Sequence, residues 1–203
     1  MRQSMTIRKK LREGLMEKAT LEQVYNMIDV KLTITDPKTM LTHHRRTYNI
    51  QNMSDEPIQT ILHGICTDVP KSFLDLNIRT LDELGHELEI TSIRLDNPYQ
   101  KEFTTTFNKP IFKGEIDRCY TLEYDVEEPE RYFENSFSTN CKKYNVSLIY
   151  PSDANFKPIA YVNMKDMKAK FESELTEQVD NNLVKVSWTW GTVVEGQAFR
   201  LEW

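Results

Sequence analysis

The alternation between Phe103 and Val126 constrains the fold more than any other stretch of the chain. Phe103, Thr105 and Phe107 alternate with Thr104 and Thr106, the period of a half-buried strand. Pro110 and Gly114 then punctuate the turn from Lys109 to Gly114. A second strand follows, with Ile116, Tyr120, Leu122, Tyr124 and Val126 on one phase and Glu115, Asp117, Thr121, Glu123 and Asp125 on the other. Strands that are apolar on one face and polar on the other belong to antiparallel sheets with one solvated side.

The same period recurs along the chain. Val30, Leu32 and Ile34 mark one strand, and Arg46, Tyr48 and Ile50 share a phase on the next. Ile58 to Cys66 is more apolar. Phe73 to Leu95 reads as a hairpin, with Leu74, Leu76 and Ile78 inward and Gly85 at the left-handed position that closes its loop. Arg131 to Phe137 reads as a short edge strand. Tyr144, Val146, Leu148 and Tyr150 alternate cleanly, as do Phe199, Leu201 and Trp203 at the C-terminus. Met164 to Val179 fits a helical stripe and a strand alike. The turn Asp180-Asn181-Asn182 leading into Val184, Val186, Trp188 and Trp190 favours the strand, because that last strand needs a partner. About ten short strands at this spacing predict a mainly β protein, an antiparallel sandwich of immunoglobulin-like, Greek-key type.

The N-terminus carries a different period. Ile7, Leu11 and Leu15 lie four apart, and Leu21, Val24, Tyr25 and Ile28 continue at three- and four-residue steps. Thr20 to Gln23 has the form of a capping box. These residues predict two short helices within a helical segment at 1–28, followed by a β domain at 29–203.

Charge and composition narrow the function classes. The chain of 203 residues carries a net charge of −5, unevenly placed. Residues 1–18 hold six basic and two acidic side chains, a net of +4, which leaves 20 basic and 29 acidic residues in the body. A net of −9 there argues against nucleic acid as a partner, since phosphate recognition needs a basic footprint. Six glycines without a Gly-rich phosphate loop argue against a nucleotide cofactor, and nothing in the sequence calls for another cofactor. Cys66, Cys119 and Cys141 lack metal-type spacing and are expected to be free thiols in a cytoplasmic setting. No apolar run reaches the length of a membrane span, so a membrane is not an expected partner.

Histidines 43, 44, 63 and 86 offer no metal-binding spacing: His43 and His44 would point to opposite faces of a strand, and no other ligand pair supports them. The aromatic residues of the second half are mostly core by phase, with enough of them to line a groove as well. Arg45, Arg46, Arg118, Tyr120 and Tyr124 are the candidate ligand or partner contacts beside such a groove. Arg118 is singled out because it interrupts the apolar phase between Ile116 and Tyr120, and a buried guanidinium needs an anionic or hydrogen-bonding partner. Ile7, Leu11 and Leu15 form the candidate association stripe of the N-terminal helix.

Phe107 to Glu115, Val146 to Pro151 and Val194 to Trp203 together resemble an uncharacterised β-sandwich module found at the C-termini of bacterial helix-turn-helix regulators and other multi-domain proteins. The resemblance covers roughly residues 100–203. It implies a non-catalytic sensing or interaction role and assigns no residue a function; the N-terminus here lacks a helix-turn-helix. The resulting expectation is a binding or accessory module, with a protein partner or a second copy engaged through the N-terminal helices and room for a small-molecule ligand. Two alternatives stay open: an enzyme with a site around Arg118 and strand-borne Tyr or Asp residues, and a peripheral protein that holds anionic lipid through residues 1–18.

Overall fold

The computed structural model describes residues 23–116, 118–164, 167–171, 175–180 and 182–203. Fourteen strands organise this part of the chain into three sheets. The largest has seven strands in the order β12-β13-β9-β1-β2-β7-β4: Leu175–Asp180, Leu183–Trp190, Tyr144–Pro151, Gln23–Asp36, Leu41–Asn52, Arg118–Glu127 and Arg79–Asp82. A four-stranded sheet runs β11 (Met167–Phe171), β10 (Ile159–Met164), β14 (Ala198–Glu202), β8 (Tyr132–Ser136), and a three-stranded sheet runs β3 (Ile58–Cys66), β6 (Gln100–Ile111), β5 (Glu89–Asn97). Helical structure among the described residues amounts to two 3-10 turns, Leu74–Leu76 and Ser152–Ala154.

The mainly β expectation holds, and three features depart from the sequence reading. First, residues 23–28 are strand rather than helix. β1 pairs with β2 along its length, and a bulge between Tyr25 and Met27 inserts one extra residue. That insertion puts Tyr25, opposite Ile50, and Ile28, opposite Tyr48, on the same face three residues apart. A bulged strand thus reproduces the step of a helix. The rest of the expected helical segment, with Ile7, Leu11 and Leu15, lies outside the described residues. Second, the large sheet is not wholly antiparallel: β1 runs parallel to β9, with Val30 opposite Val146 and Leu32 opposite Leu148. Three sheets and a parallel pair also differ from an immunoglobulin-like arrangement. Third, the predicted hairpin from Phe73 to Leu95 forms only around its turn, where Leu88 N–H bonds the Thr80 carbonyl and Asp82 N–H the His86 carbonyl; beyond it β4 pairs with β7 and β5 with β6. Leu74 sits on a 3-10 turn and is exposed, while Gly85 takes the left-handed conformation foreseen for it at φ 84°. Residues 167–171 and 175–180 are strands, and β12 pairs with β13.

One face of the seven-stranded sheet carries the interior. Cross-strand register lines up Ile34, Thr42 and Val126, then Leu32, His44 and Tyr124, then Val30, Arg46 and Leu122, then Ile28, Tyr48 and Tyr120. On the β1, β9 and β13 side this face packs against the four-stranded sheet, burying Val30, Leu32, Tyr144, Leu148 and Trp188 with Phe133, Val162, Phe199 and Leu201. On the β7 side it packs against the three-stranded sheet, burying Leu122, Tyr124 and Tyr120 with Ile61, Ile65, Phe103 and Phe107. The two small sheets therefore lie side by side on one large sheet, with a seam over β2. The C-terminal Trp203 is tied in by a bond from its backbone N–H to the Arg131 carbonyl, 3.1 Å. None of the helices among the described residues is long and apolar enough to cross a membrane.

Candidate functional site

The seam opens into a cleft of about 260 Å³. Each wall is an edge strand: β3, which closes the three-stranded sheet, supplies Leu62 to Cys66, and β8, which closes the four-stranded sheet, supplies Tyr132 to Ser136. Its floor is the inward phase of β2 and β7, where His44, Arg46 and Tyr48 stand beside Tyr124, Leu122 and Tyr120. Strand alternation produces this floor directly. Residues two apart on β2 share a face, and the run Thr42, His44, Arg46, Tyr48 is polar where an interior strand would ordinarily be apolar.

Stacked rings pave the cleft. The Tyr48 and Tyr120 rings lie 4.7 Å apart at 13°, and the His44 and Tyr124 rings lie 4.7 Å apart at 29°. His63 on the β3 wall stacks on Phe103 at 4.9 Å. The Arg46 guanidinium carbon is 5.2 Å from the centres of both the Tyr124 and Phe133 rings, within cation–π range of each. One of the Arg46 N–H donors bonds the Tyr124 hydroxyl. Its Nε has no hydrogen-bond partner, and the same is true of Nε2 of His63 and both ring nitrogens of His44. The nearest carboxylate to His44 belongs to Glu128, at 3.5 Å from Nε2, in the loop after β7.

Burial sets the protonation states. His44 is held well below the usual imidazole range by burial, with the Arg46 charge adding to the effect. His63 is pushed down to about 3 for the same two reasons. Both are neutral rings at neutral pH, each able to give one hydrogen bond and accept one. Tyr120 and Tyr124 are shifted upward by burial and remain protonated phenols. Arg46 is the lasting positive charge on this floor, and among the described residues it forms no ion pair with a carboxylate.

The other residues singled out from sequence fall elsewhere. Tyr120 and Tyr124 do join Arg46 in the floor. Arg45, one residue away, projects from the opposite face and pairs with Glu123; Arg79 approaches the same carboxylate at 3.8 Å. Arg118 lies at the far end of β7. Its donors meet Glu115 at 3.2 Å, Glu83 at 3.3 Å and the carbonyls of Lys109 and Pro110 at 3.1 and 3.4 Å. Ile116, assigned inward by phase, is 63% exposed because β7 begins only at Arg118. Among the described residues no group of three or more His, Cys, Asp or Glu side chains is placed to hold a metal ion. No disulfide joins Cys66, Cys119 or Cys141 to another described residue.

Sequence reasoning passed over His44, His63 and Glu128. The two histidines fail as metal ligands on spacing, and Glu128 follows the strand in an acidic run yet is 5% exposed. The available signal was the phase of β2. His44 and Arg46 share the face that Ile50 buries.

No protein-family model matches this sequence, and no curated protein matches it at a significant level. Solved structures do share its architecture. The M1 zinc metallopeptidase from Deinococcus radiodurans superposes with a TM-score of 0.54 at 12% identity, over 90% of this chain and 43% of the enzyme. A variant of that enzyme bound to a Tyr-Ser-Ala substrate gives 0.54 at 11% identity, and a two-domain M1 zinc metallopeptidase bound to L-arginine gives 0.53 at 11%. At these identities the likeness is one of fold. This chain spans less than half the length of each of those proteins.

Proposed function

We propose that this chain is a non-catalytic β-sheet binding module and that the seam cleft is where it binds. The observation that carries the reading is the cluster of buried polar atoms without hydrogen-bond partners on His44, His63 and Arg46, all in one cleft. A buried polar group left unmade costs about 1–3 kcal/mol. Such costs on the floor of an open cleft support a surface kept for a ligand. Arg118, ion-paired with Glu83 and Glu115 and bonded to the carbonyls of Lys109 and Pro110, suits a structural tie better than a catalytic centre.

The test is a fragment screen by two-dimensional NMR on the full chain, using small carboxylates, amides and amines. Shift changes gathered on Arg46, Tyr48, His63 and Ser136, and lost when Ser136→Trp fills the cleft, support the reading. Changes gathered on another surface and indifferent to Ser136→Trp overturn it.

A further inference from the structure

The walls of the cleft are strand edges, and they point to a class of partner, an inference that rests on reading the cleft as the binding site. We propose that the cleft takes an extended peptide segment of another protein, which adds to the open edge of β3 as a further strand. Backbone phase decides which groups are presented. Thr67 N–H bonds the Tyr99 carbonyl just beyond the ladder of β3 and β6, so Ile61, His63 and Ile65 direct their backbone bonds to β6. Leu62 and Gly64, in between, turn N–H and C=O away from β6 and toward the cleft that they line. On β8, Phe137 N–H bonds the Gln197 carbonyl and Trp203 N–H bonds the Arg131 carbonyl, so Ser136 likewise turns away from β14. Among the described residues, no backbone group meets the outward N–H and C=O of Leu62, Gly64 or Ser136.

The two edges of the three-stranded sheet differ in their protection. β5, the outer edge, carries Glu89, Arg94 and Asp96 and has two bulges, between Ile90 and Ser92 and between Ile93 and Leu95. Charges and bulges of this kind keep an edge from pairing with another chain. β3 contains no Asp, Glu, Lys, Arg or Pro, and its register runs without a bulge from Thr60 to Cys66. An edge without such guards is a template for an added strand, a recurring mode of peptide recognition. Gly64 has no side chain, which lets a second backbone come close. Alternate side chains of the added strand face the floor, where His44 and His63 hold ring nitrogens without hydrogen-bond partners. An asparagine amide donates and accepts, which matches those neutral rings. The segment comes from another protein, because the residues ahead of β1 repeat at Ile7, Leu11 and Leu15, a step of four where a strand needs two.

The probe is the blocked peptide acetyl-Thr-Val-Asn-Val-Thr-amide, followed by isothermal titration with the full chain. N-methylation of alternate residues removes one phase of its backbone donors and leaves the other. The expected result is that the peptide binds and that methylation of one phase weakens it at least about ten-fold, as the loss of a hydrogen bond implies, while methylation of the other phase weakens it less. Leu62→Pro, which deletes an outward N–H and leaves the ladder to β6 intact, should weaken the peptide by about as much, and Ser136→Trp should abolish its binding. Equal affinity for the peptide and both methylated forms, all lost in Ser136→Trp, overturns strand addition and leaves the cleft reading standing. Absence of binding to the unmodified protein overturns the inference. Peptide binding that survives Ser136→Trp overturns the cleft reading with it. Light scattering that shows a dimer, dissociated by Leu62→Pro, overturns the choice of a segment from another protein.

Discussion

The neutral histidines of the cleft give the fold a pH dependence whose sign and window follow from their burial. His44 is 1% exposed and His63 is 5% exposed, and both are held below the ordinary imidazole value of 6.5, His63 down to about 3. Above that ordinary value the imidazole is neutral in both the folded and the unfolded chain, so neither histidine alters stability. Below it the unfolded chain takes up protons that the folded chain refuses, and stability falls with pH until the folded value is reached. Each such group costs about 1.4 kcal/mol per pH unit inside that window. Going from pH 7 to pH 5 should therefore remove about 2 kcal/mol for each histidine, or about 4 kcal/mol for the pair. For a domain of this size, 1 kcal/mol corresponds to about 2–4 °C in the midpoint. Thermal unfolding followed by circular dichroism should thus show a fall of about 8–16 °C between those pH values. In His63→Phe, which keeps the ring stacked on Phe103, the fall should be about half as large. A midpoint that is flat from pH 7 to pH 5 would refute the reasoning, because the imidazoles would then be as accessible to protons folded as unfolded.

Other consequences can be checked with single variants. Trp188 is 1% exposed at the centre of the larger core, so Trp188→Ala should cost about 3–5 kcal/mol in urea unfolding, and a wild-type midpoint would contradict its placement. Arg118→Ala should lower stability by about 1–3 kcal/mol through the loss of its ion pairs with Glu83 and Glu115 and its bonds to two carbonyls, and an unchanged urea midpoint would contradict that role. Gly85 sits at φ 84°, so Gly85→Ala should destabilise by about 1 kcal/mol or more even though the space around it is open, and an unchanged midpoint would contradict the turn.

What was legible in the sequence followed strand phase. Trp188 and Tyr124 were inward by alternation and are buried, at 1% and 2% exposure. The strand at 175–180 was found from its turn and its need for a partner. Pairing between distant strands was not legible. Nothing local in residues 23–36 or 144–151 announces that β1 and β9 run parallel, since that choice is made by burial of both against the four-stranded sheet. The bulge at Tyr25 and Met27 misled in a specific way, since one inserted residue turned a period of two into an apparent helical step. Of the arginines, Arg46 shared a phase with Tyr48 and Ile50 and lies in the cleft, while the emphasis on Arg118 failed because Ile116, its reference for phase, precedes the strand. The cleft itself depends on two edge strands, β3 and β8, meeting over β2 from separate sheets. No sequence period encodes that meeting.

Locating a bound probe tests the central claim most directly. Crystals of the full chain soaked with 4-bromobenzoate and measured at the bromine absorption edge would place the ligand by its anomalous signal. The expected result is one strong bromine peak in the seam between β3 and β8. A bromine peak on any other surface, or an empty seam in crystals of protein that binds the compound in solution, would contradict the assignment of this cleft as the binding site.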